Sequence, residues 1–466
     1  MALTLVPVGA AAKSAAAPEA ATAAAPNAVA KFTRISASAG TPFGSTSINL
    51  AEKGYVEEEF YSSGTANRYR MKDPAGTAQI VDGGHPYTTR ILVRRPTDPK
   101  KFNGRVIVEW YNVSTNADLD MVFGAMRNHL LEDGYAWVGV SAQIQGMNSL
   151  RAWNPARYGK LSLAASNDDP LGGQLEPNSP LFRFADVLSW DAFTQVGNAL
   201  RHPSGVDPLG GLKPTLIIAS GESQSAARLT TYYNSILPFA RNTFDGFLLY
   251  DGVGRALRTD IGTKMVSFRT GPGPADSDVL RVWEVAGASH ISYDEIVPYM
   301  EEQYQRMGVL RGLDGTPYTL SQTFVGCEIT PIYSRVPNGD VLNAALEALV
   351  GWVTRGTPPP KADRFRLDDK GRMERGPEGR VTGGIRLAAY DAPMSKSMGW
   401  NVGSSMPCGL AGSHQDYTPA QLRQLYGTPA NYVARVTAVT RKAEQDGFLL
   451  KSDADRTIKD AEAIKF

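Results

Sequence analysis

Pro214-Thr-Leu-Ile-Ile-Ala-Ser-Gly-Glu-Ser-Gln-Ser-Ala226 joins a continuous apolar run to a segment of helical spacing, in which Leu229, Tyr233 and Ile236 share a face. A short apolar run bounded by turn signals reads as a strand covered on both faces, the kind found inside parallel sheets. Small residues crowd the junction, with Gly221 two positions before Ser223 and Ser225 two positions after it. A serine so flanked, between a buried strand and a helix, fits the G-x-S-x-G pattern with Ser225 standing where the last glycine usually stands. The turn leaves no room for bulk beside the neighbouring strand and helix, and a serine is small enough for it. An ordinary serine-rich helix start would carry the same letters, but it would not need the buried strand in front.

The same alternation extends in both directions. Arg105-Val-Ile-Val-Glu-Trp is a second buried strand, and the spacing predicts a helix over 118–133 with Leu119, Val122, Phe123, Met126 and Leu130 on one face. Asp118 is its expected N-cap and Gly134 its stop. Tyr135-Ala-Trp-Val-Gly-Val-Ser follows as the next strand, which makes a right-handed parallel βαβ unit. Further strands are expected over 244–250, 264–269 and 279–285, and further helices through Trp190, Phe193, Val196 and Leu200 and through Leu342, Leu346, Leu349 and Val353. Two β-rich runs, beginning at Tyr55 and Tyr87, open the series. The fold class is α/β, a mostly parallel central sheet with helices on both faces, carried by residues 46–356.

Residues 143–183, rich in Gly, Pro, Asn and Asp and carrying Trp153 and Phe182, are too long for an ordinary connection and read as a lid or pocket wall. A second irregular stretch spans 308–339. Residues 357–466 read as an appendage packed on the core, with helical patterns near Pro419 and Pro429. The Ala/Pro-rich start, 1–45, reads as a leader. Its apolar opening is like a secretory signal without the basic start, so a periplasmic or secreted protein is expected, with a disordered tail on a cytoplasmic protein as the alternative.

Charge and composition exclude several classes. In 466 residues, Lys+Arg 48 against Asp+Glu 47 leaves a net charge of +1, which provides no field for nucleic acid or an anionic membrane. With no apolar run near the length of a membrane helix, neither a nucleic-acid partner nor membrane insertion is expected. Five histidines lie far apart and two cysteines are too few for a Cys-rich metal site, so no metal is expected. Cys327 and Cys408 could form one bridge. No phosphate-binding glycine loop is present, and no cofactor is expected.

A serine nucleophile at Ser223 needs a base, and His290 follows a late strand in the small-residue loop Ala286-Gly-Ala-Ser-His. No carboxylate directly follows the 264–269 strand, where the acid would usually stand. Asp251, at the end of the preceding strand, is the choice, with Asp260, Asp276, Asp278 and Glu284 as alternatives and a plain turn residue as the bland reading. The oxyanion would be held by the backbone N–H of Gln224 and by that of Asn112 or Val113, and Tyr111 and Glu222 are candidate substrate contacts. An unperturbed His290 would make activity rise near pH ~6.5.

Val108-Glu-Trp-Tyr-Asn-Val-Ser, Gly221-Glu-Ser-Gln-Ser-Ala and Trp283-Glu-Val-Ala-Gly-Ala-Ser-His, with similar stretches after Tyr87, Tyr135 and Val341, resemble the α/β-hydrolase superfamily and, more narrowly, a bacterial family of α/β-hydrolase-domain proteins. The likeness extends from about residue 50 to 415. It implies Ser223 as nucleophile, His290 as base, and cleavage of small-molecule carboxylic esters through an acyl-enzyme. Amide, lactone or thioester cleavage would use the same residues. Relatives carry a Ser-Glu-Thr-Asp-like segment that supplies the acid, whereas this chain has Thr270-Gly-Pro-Gly. That departure implies either that the acid has moved to Asp251 or that the protein is a catalytically impaired binding protein. The resemblance also implies that Cys327 and Cys408 are partners.

Overall fold

The computed structural model describes residues 28–466 except 37, 39, 72, 74–75, 177–183, 253–255, 310–318, 320–321, 323–325, 377 and 405. Strands apolar on both faces must lie inside a sheet, and the main sheet is ordered accordingly. Its members are β1 (Lys31–Arg34), β2 (Tyr55–Arg70), β3 (Gln79–Pro96), β4 (Arg105–Trp110), β5 (Ala136–Val140), β6 (Ser204–Gly205), β7 (Leu216–Glu222), β8 (Gly246–Tyr250), β9 (Lys264–Arg269) and β10 (Leu280–Glu284). Across the sheet they run β10-β9-β8-β7-β4-β5-β3-β2-β1-β6. From β10 to β5 every pairing is parallel, and β3 and β2 continue antiparallel. Every residue of β5, β7 and β8 is buried, as their unbroken apolar runs require.

Helices cover both faces. Met121–Glu132 and Asn338–Arg355 pack into one apolar cluster with Ile107, Ile218 and Leu248, while Ser189–Arg201 and Gln224–Thr231 pack on the opposite face with Val106, Ile217 and Phe247. The first of these helices starts at Met121, later than its sequence pattern predicts, and Asp118 is not its cap. Instead, the Glu109 carboxylate accepts the orphan N–H groups of Val122 at 2.9 Å and Phe123 at 3.0 Å. Asp118 is drawn off by Arg90 of β3, whose fully buried guanidinium lies 2.5 Å from Glu59 and 3.3 Å from Asp118. Arg94 holds Asp120 at 2.6 Å in the same way. These buried pairs fix the loop between β4 and the helix, and that loop forms one side of the site.

Part of the 1–45 segment read as a leader belongs to the sheet. The first 27 residues lie outside the described residues, but Lys31–Arg34 pairs with both β2 and β6 and buries Phe32 completely. The 143–183 insertion forms helices at Ile144–Trp153 and Pro155–Tyr158, while Phe182 lies outside the described residues. It is tied to its surroundings: Gln145 Nε2 donates to the Val113 carbonyl at 2.7 Å, and Trp153 stacks edge-on against Phe43 at 5.3 Å. Most of 310–325 also lies outside the described residues.

Residues from 357 onward make contacts with the core sheet. Trp283 Nε1 donates to the Pro360 carbonyl at 3.0 Å, and the Trp283 ring meets Phe448 at 5.1 Å. Ile385 bridges to Val285 beyond the edge strand β10, with Ala286 N–H donating to Ile385 at 2.9 Å and Ile385 N–H to Glu284 at 2.7 Å. Helices form at Pro419–Tyr426 and Pro429–Gln445, and a third, Lys451–Glu462, was not evident because only Asp453, Ala454 and Ala461 of it are buried. A disulfide joins Cys327 to Cys408, with their Cα atoms 5.3 Å apart.

Candidate active site

Ser223 stands between β7 and the helix Gln224–Thr231 with φ 54° and ψ −113°, a conformation that a residue with a side chain adopts only where its surroundings enforce it. Those surroundings are visible. A Cβ on Gly221 would come within 2.9 Å of Ser225 Oγ and 3.1 Å of the Ser225 carbonyl carbon. The Ser225 hydroxyl closes the turn from inside, donating to the Glu222 carbonyl at 2.8 Å and accepting the Glu222 N–H at 3.0 Å. A glycine there could do neither, so the departure from G-x-S-x-G adds two hydrogen bonds to the turn. Ser223 N–H donates to the Tyr250 carbonyl at 2.8 Å, which ties the turn to the end of β8.

Asp251, the next residue after β8, also has a positive φ, 46°. Its carboxylate accepts the Thr270 N–H at 2.9 Å and the Thr270 hydroxyl at 2.6 Å. The segment that lacks an acid therefore supplies the groups that orient the acid of its neighbour. Asp251 Oδ2 lies 2.5 Å from His290 Nδ1. Burial pushes the Asp251 carboxyl up, but the charge and hydrogen bond of His290, reinforced by Arg269 and Thr270, take it down to about 2. The other carboxylates are engaged elsewhere: Asp260 pairs with Arg258, Asp276 accepts the Val282 N–H, and Glu284 pairs with Arg364 and accepts the Phe365 N–H. Asp278 has its backbone carbonyl on Lys264.

His290 lies in a pinned loop. Ser289 Oγ donates to the Ile291 carbonyl at 2.6 Å, and Asn338 Nδ2 donates to the Ser289 carbonyl at 2.9 Å. On its far side, His290 Nε2 lies 3.0 Å from Glu222 Oε1. This is a charge contact and not an aligned hydrogen bond, since Glu222 Oε1 is buried and takes no hydrogen bond. Burial alone would push the imidazole down, yet Glu222 and Asp251 outweigh it and hold His290 well above its ordinary 6.5. The unperturbed midpoint expected from the sequence is thereby corrected. Ser223 Oγ makes no hydrogen bond to His290 in this arrangement.

The structure brings Ser223, Asp251, His290, Gln224 and Asn112 together. Asn112 Nδ2 donates to Glu222 Oε2 at 2.6 Å and to the Glu222 carbonyl at 3.2 Å, which places the loop carrying Asn112 and Val113 against the end of β7. Both candidate substrate contacts are buried. Tyr111 is a core residue, 2 % exposed, edge-on to Trp137 at 5.9 Å and beneath the Arg90 guanidinium at 5.5 Å. Glu222, also 2 % exposed, faces Asn112 and His290. Thr270 escaped the sequence reading; its signal was a hydroxyl residue directly after the strand at which the acid is missing.

Among solved structures, the chain is similar to esterase Est22 with p-nitrophenol, at 14 % identity over 44 % of this chain and 46 % of that one, with a TM-score of 0.24. It is similar also to a rice cell wall degrading esterase LipA from Xanthomonas oryzae, at 11 % identity over 46 % of this chain and 51 % of that one, TM-score 0.25. Candida antarctica lipase A matches at 10 % over 48 % of this chain and 42 % of that one, TM-score 0.24. The chain thus spans about half the length of these structures. No curated protein matches it. The family model of the alpha/beta hydrolase domain matches residues 23–459, nearly the whole chain and every residue of the site described above, and the protein belongs to that family.

Proposed function

We propose that this hydrolase-family protein cleaves carboxylic esters of small molecules through an acyl-serine intermediate. The observation that carries the reading is Ser223, held at positive φ on a strand-to-helix turn beside the His290–Asp251 pair. In the reaction, neutral His290 takes the Ser223 proton as Oγ attacks the ester carbonyl. The N–H groups of Gln224 and of Asn112 or Val113 receive the oxyanion. The alcohol leaves with the proton from His290, and water, activated by the same imidazole, releases the acid. Asp251 keeps the proton on Nδ1 and offsets the charge that His290 gains. The binding-protein alternative rests on a missing carboxylate, and the contact of Asp251 with His290 supports the hydrolase reading against it.

Intact mass after incubation with a fluorophosphonate tests this reading. One adduct in the parent, absent in Ser223→Ala, is the expected result; a folded parent without an adduct at any pH overturns it. A panel of esters, amides, lactones and thioesters then separates the four chemistries. Export to the periplasm or medium is part of the proposal, supported by the Cys327–Cys408 bridge, since disulfides persist in oxidising compartments. Among the described residues, no helix is long and apolar enough to cross a membrane.

A further inference from the structure

Glu222 occupies the variable position between Gly221 and Ser223, where the chemistry sets no requirement, yet it is buried and spans the site. One carboxylate oxygen is held by Asn112 Nδ2 at 2.6 Å, while the other lies 3.0 Å from His290 Nε2 and takes no hydrogen bond. The nitrogen that must accept the Ser223 proton therefore lies beside a carboxylate, and Ser223 Oγ is left without a bond to the base. We propose that Glu222 is a positioning residue that latches the resting site, holding His290 as an imidazolium, with Nε2 engaged beside Glu222, until its proton is lost. The proposal rests on the reading of Ser223 and His290 as nucleophile and base.

The charges around the ring favour this state. Glu222 at the end of β7 and Asp251 just after β8 flank His290, and Arg269 at the end of β9 acts on Asp251. The remaining acid nearby, Glu295, takes the Tyr250 hydroxyl and is pushed up to about 8, mainly by burial, so it adds little negative charge at neutral pH. Two carboxylates thus share one imidazolium. Unlatching loses the Nε2 proton to solvent, which leaves a neutral imidazole whose Nε2 lone pair can turn to the Ser223 hydroxyl. Asn112 then keeps its hold on Glu222, so the carboxylate stays buried but satisfied on one side. Under this arrangement the enzyme is quiet while His290 keeps its proton and becomes active only as pH rises through the raised His290 midpoint.

The test is an NMR titration of ¹⁵N-histidine protein, with the His290 signals assigned by their loss in His290→Gln. In the parent, His290 is expected to keep its proton well past the ordinary value of about 6.5. In Glu222→Gln the midpoint should fall by about one pH unit or more, about tenfold in the acid constant. The pH profile of the fluorophosphonate inactivation rate should move by the same amount, which a merely structural role would not produce. An ordinary midpoint in the parent overturns the latch, and that measurement stands even if Glu222→Gln fails to fold. Midpoints that coincide in parent and variant overturn it as well. Absence of any adduct, with the titration shifted as expected, would instead overturn the hydrolase reading and leave the grip of Glu222 on His290 intact.

Discussion

Asp251 and His290 shift in opposite senses because each stabilises the charge of the other. The stability contributed by Asp251 is fully present above its ordinary 3.8 and is lost as pH falls toward about 2. That contributed by His290 is fully present below 6.5 and is lost as pH rises through its higher folded value. In Asp251→Asn both slopes should flatten, as read from the thermal unfolding midpoint against pH. The same variant should lose about 10³–10⁴-fold in kcat on any ester the parent cleaves, because an amide can present its N–H to Nδ1 and favour the wrong tautomer. A loss under tenfold would remove Asp251 from the mechanism. Ser223 and His290 are legible in the sequence because each stands in a small-residue loop at the end of an apolar strand. Asp251 is legible only by elimination, and its support by Thr270 is not, since residues 19 apart in sequence meet only once β8 and β9 pair. The reach of Glu222 to Asn112 is hidden for the same reason, being a side-chain contact across 110 positions.

At the scale of elements, the apolar strands are read correctly from their composition, but polar ones are not. β2 and β3 run 16 and 18 residues, well past the β-rich cores seen in the sequence, because their extensions carry Arg, Asp and Ser that pair across the hairpin and with the insertion. The misplaced helix start has the same origin: Asp118 has the letter of a cap, but a cap is a local bond, and Arg90 offers a buried charge from another strand. This cluster holds the loop that carries Asn112. Arg90→Leu would leave Asp118 buried without its cation, while Glu59 keeps Arg157, and should cost about 3–5 kcal/mol in urea unfolding. A loss below about 1 kcal/mol, in the range of exposed pairs, would show that the cluster is not a determinant of the loop.

For the whole molecule, the C-terminal 110 residues are a covering and not a separate unit. Trp283 has no exposed surface, and it is covered by Pro360 and Phe448, while Glu284 depends on the Phe365 N–H and Arg364. A chain ending at Arg355 should therefore be insoluble; a soluble product with the far-UV signal of a folded α/β protein would contradict this. The bridge from Ile385 to the strand end has a further consequence, in the order of events during synthesis. An uncovered strand edge is a template on which a second chain can pair. The segment that caps this one is translated about 100 residues after it, a delay of about 5–20 s at ordinary ribosome speeds. For that interval the nascent chain carries an open edge, and its escape from aggregation depends on whatever holds it until the cap arrives.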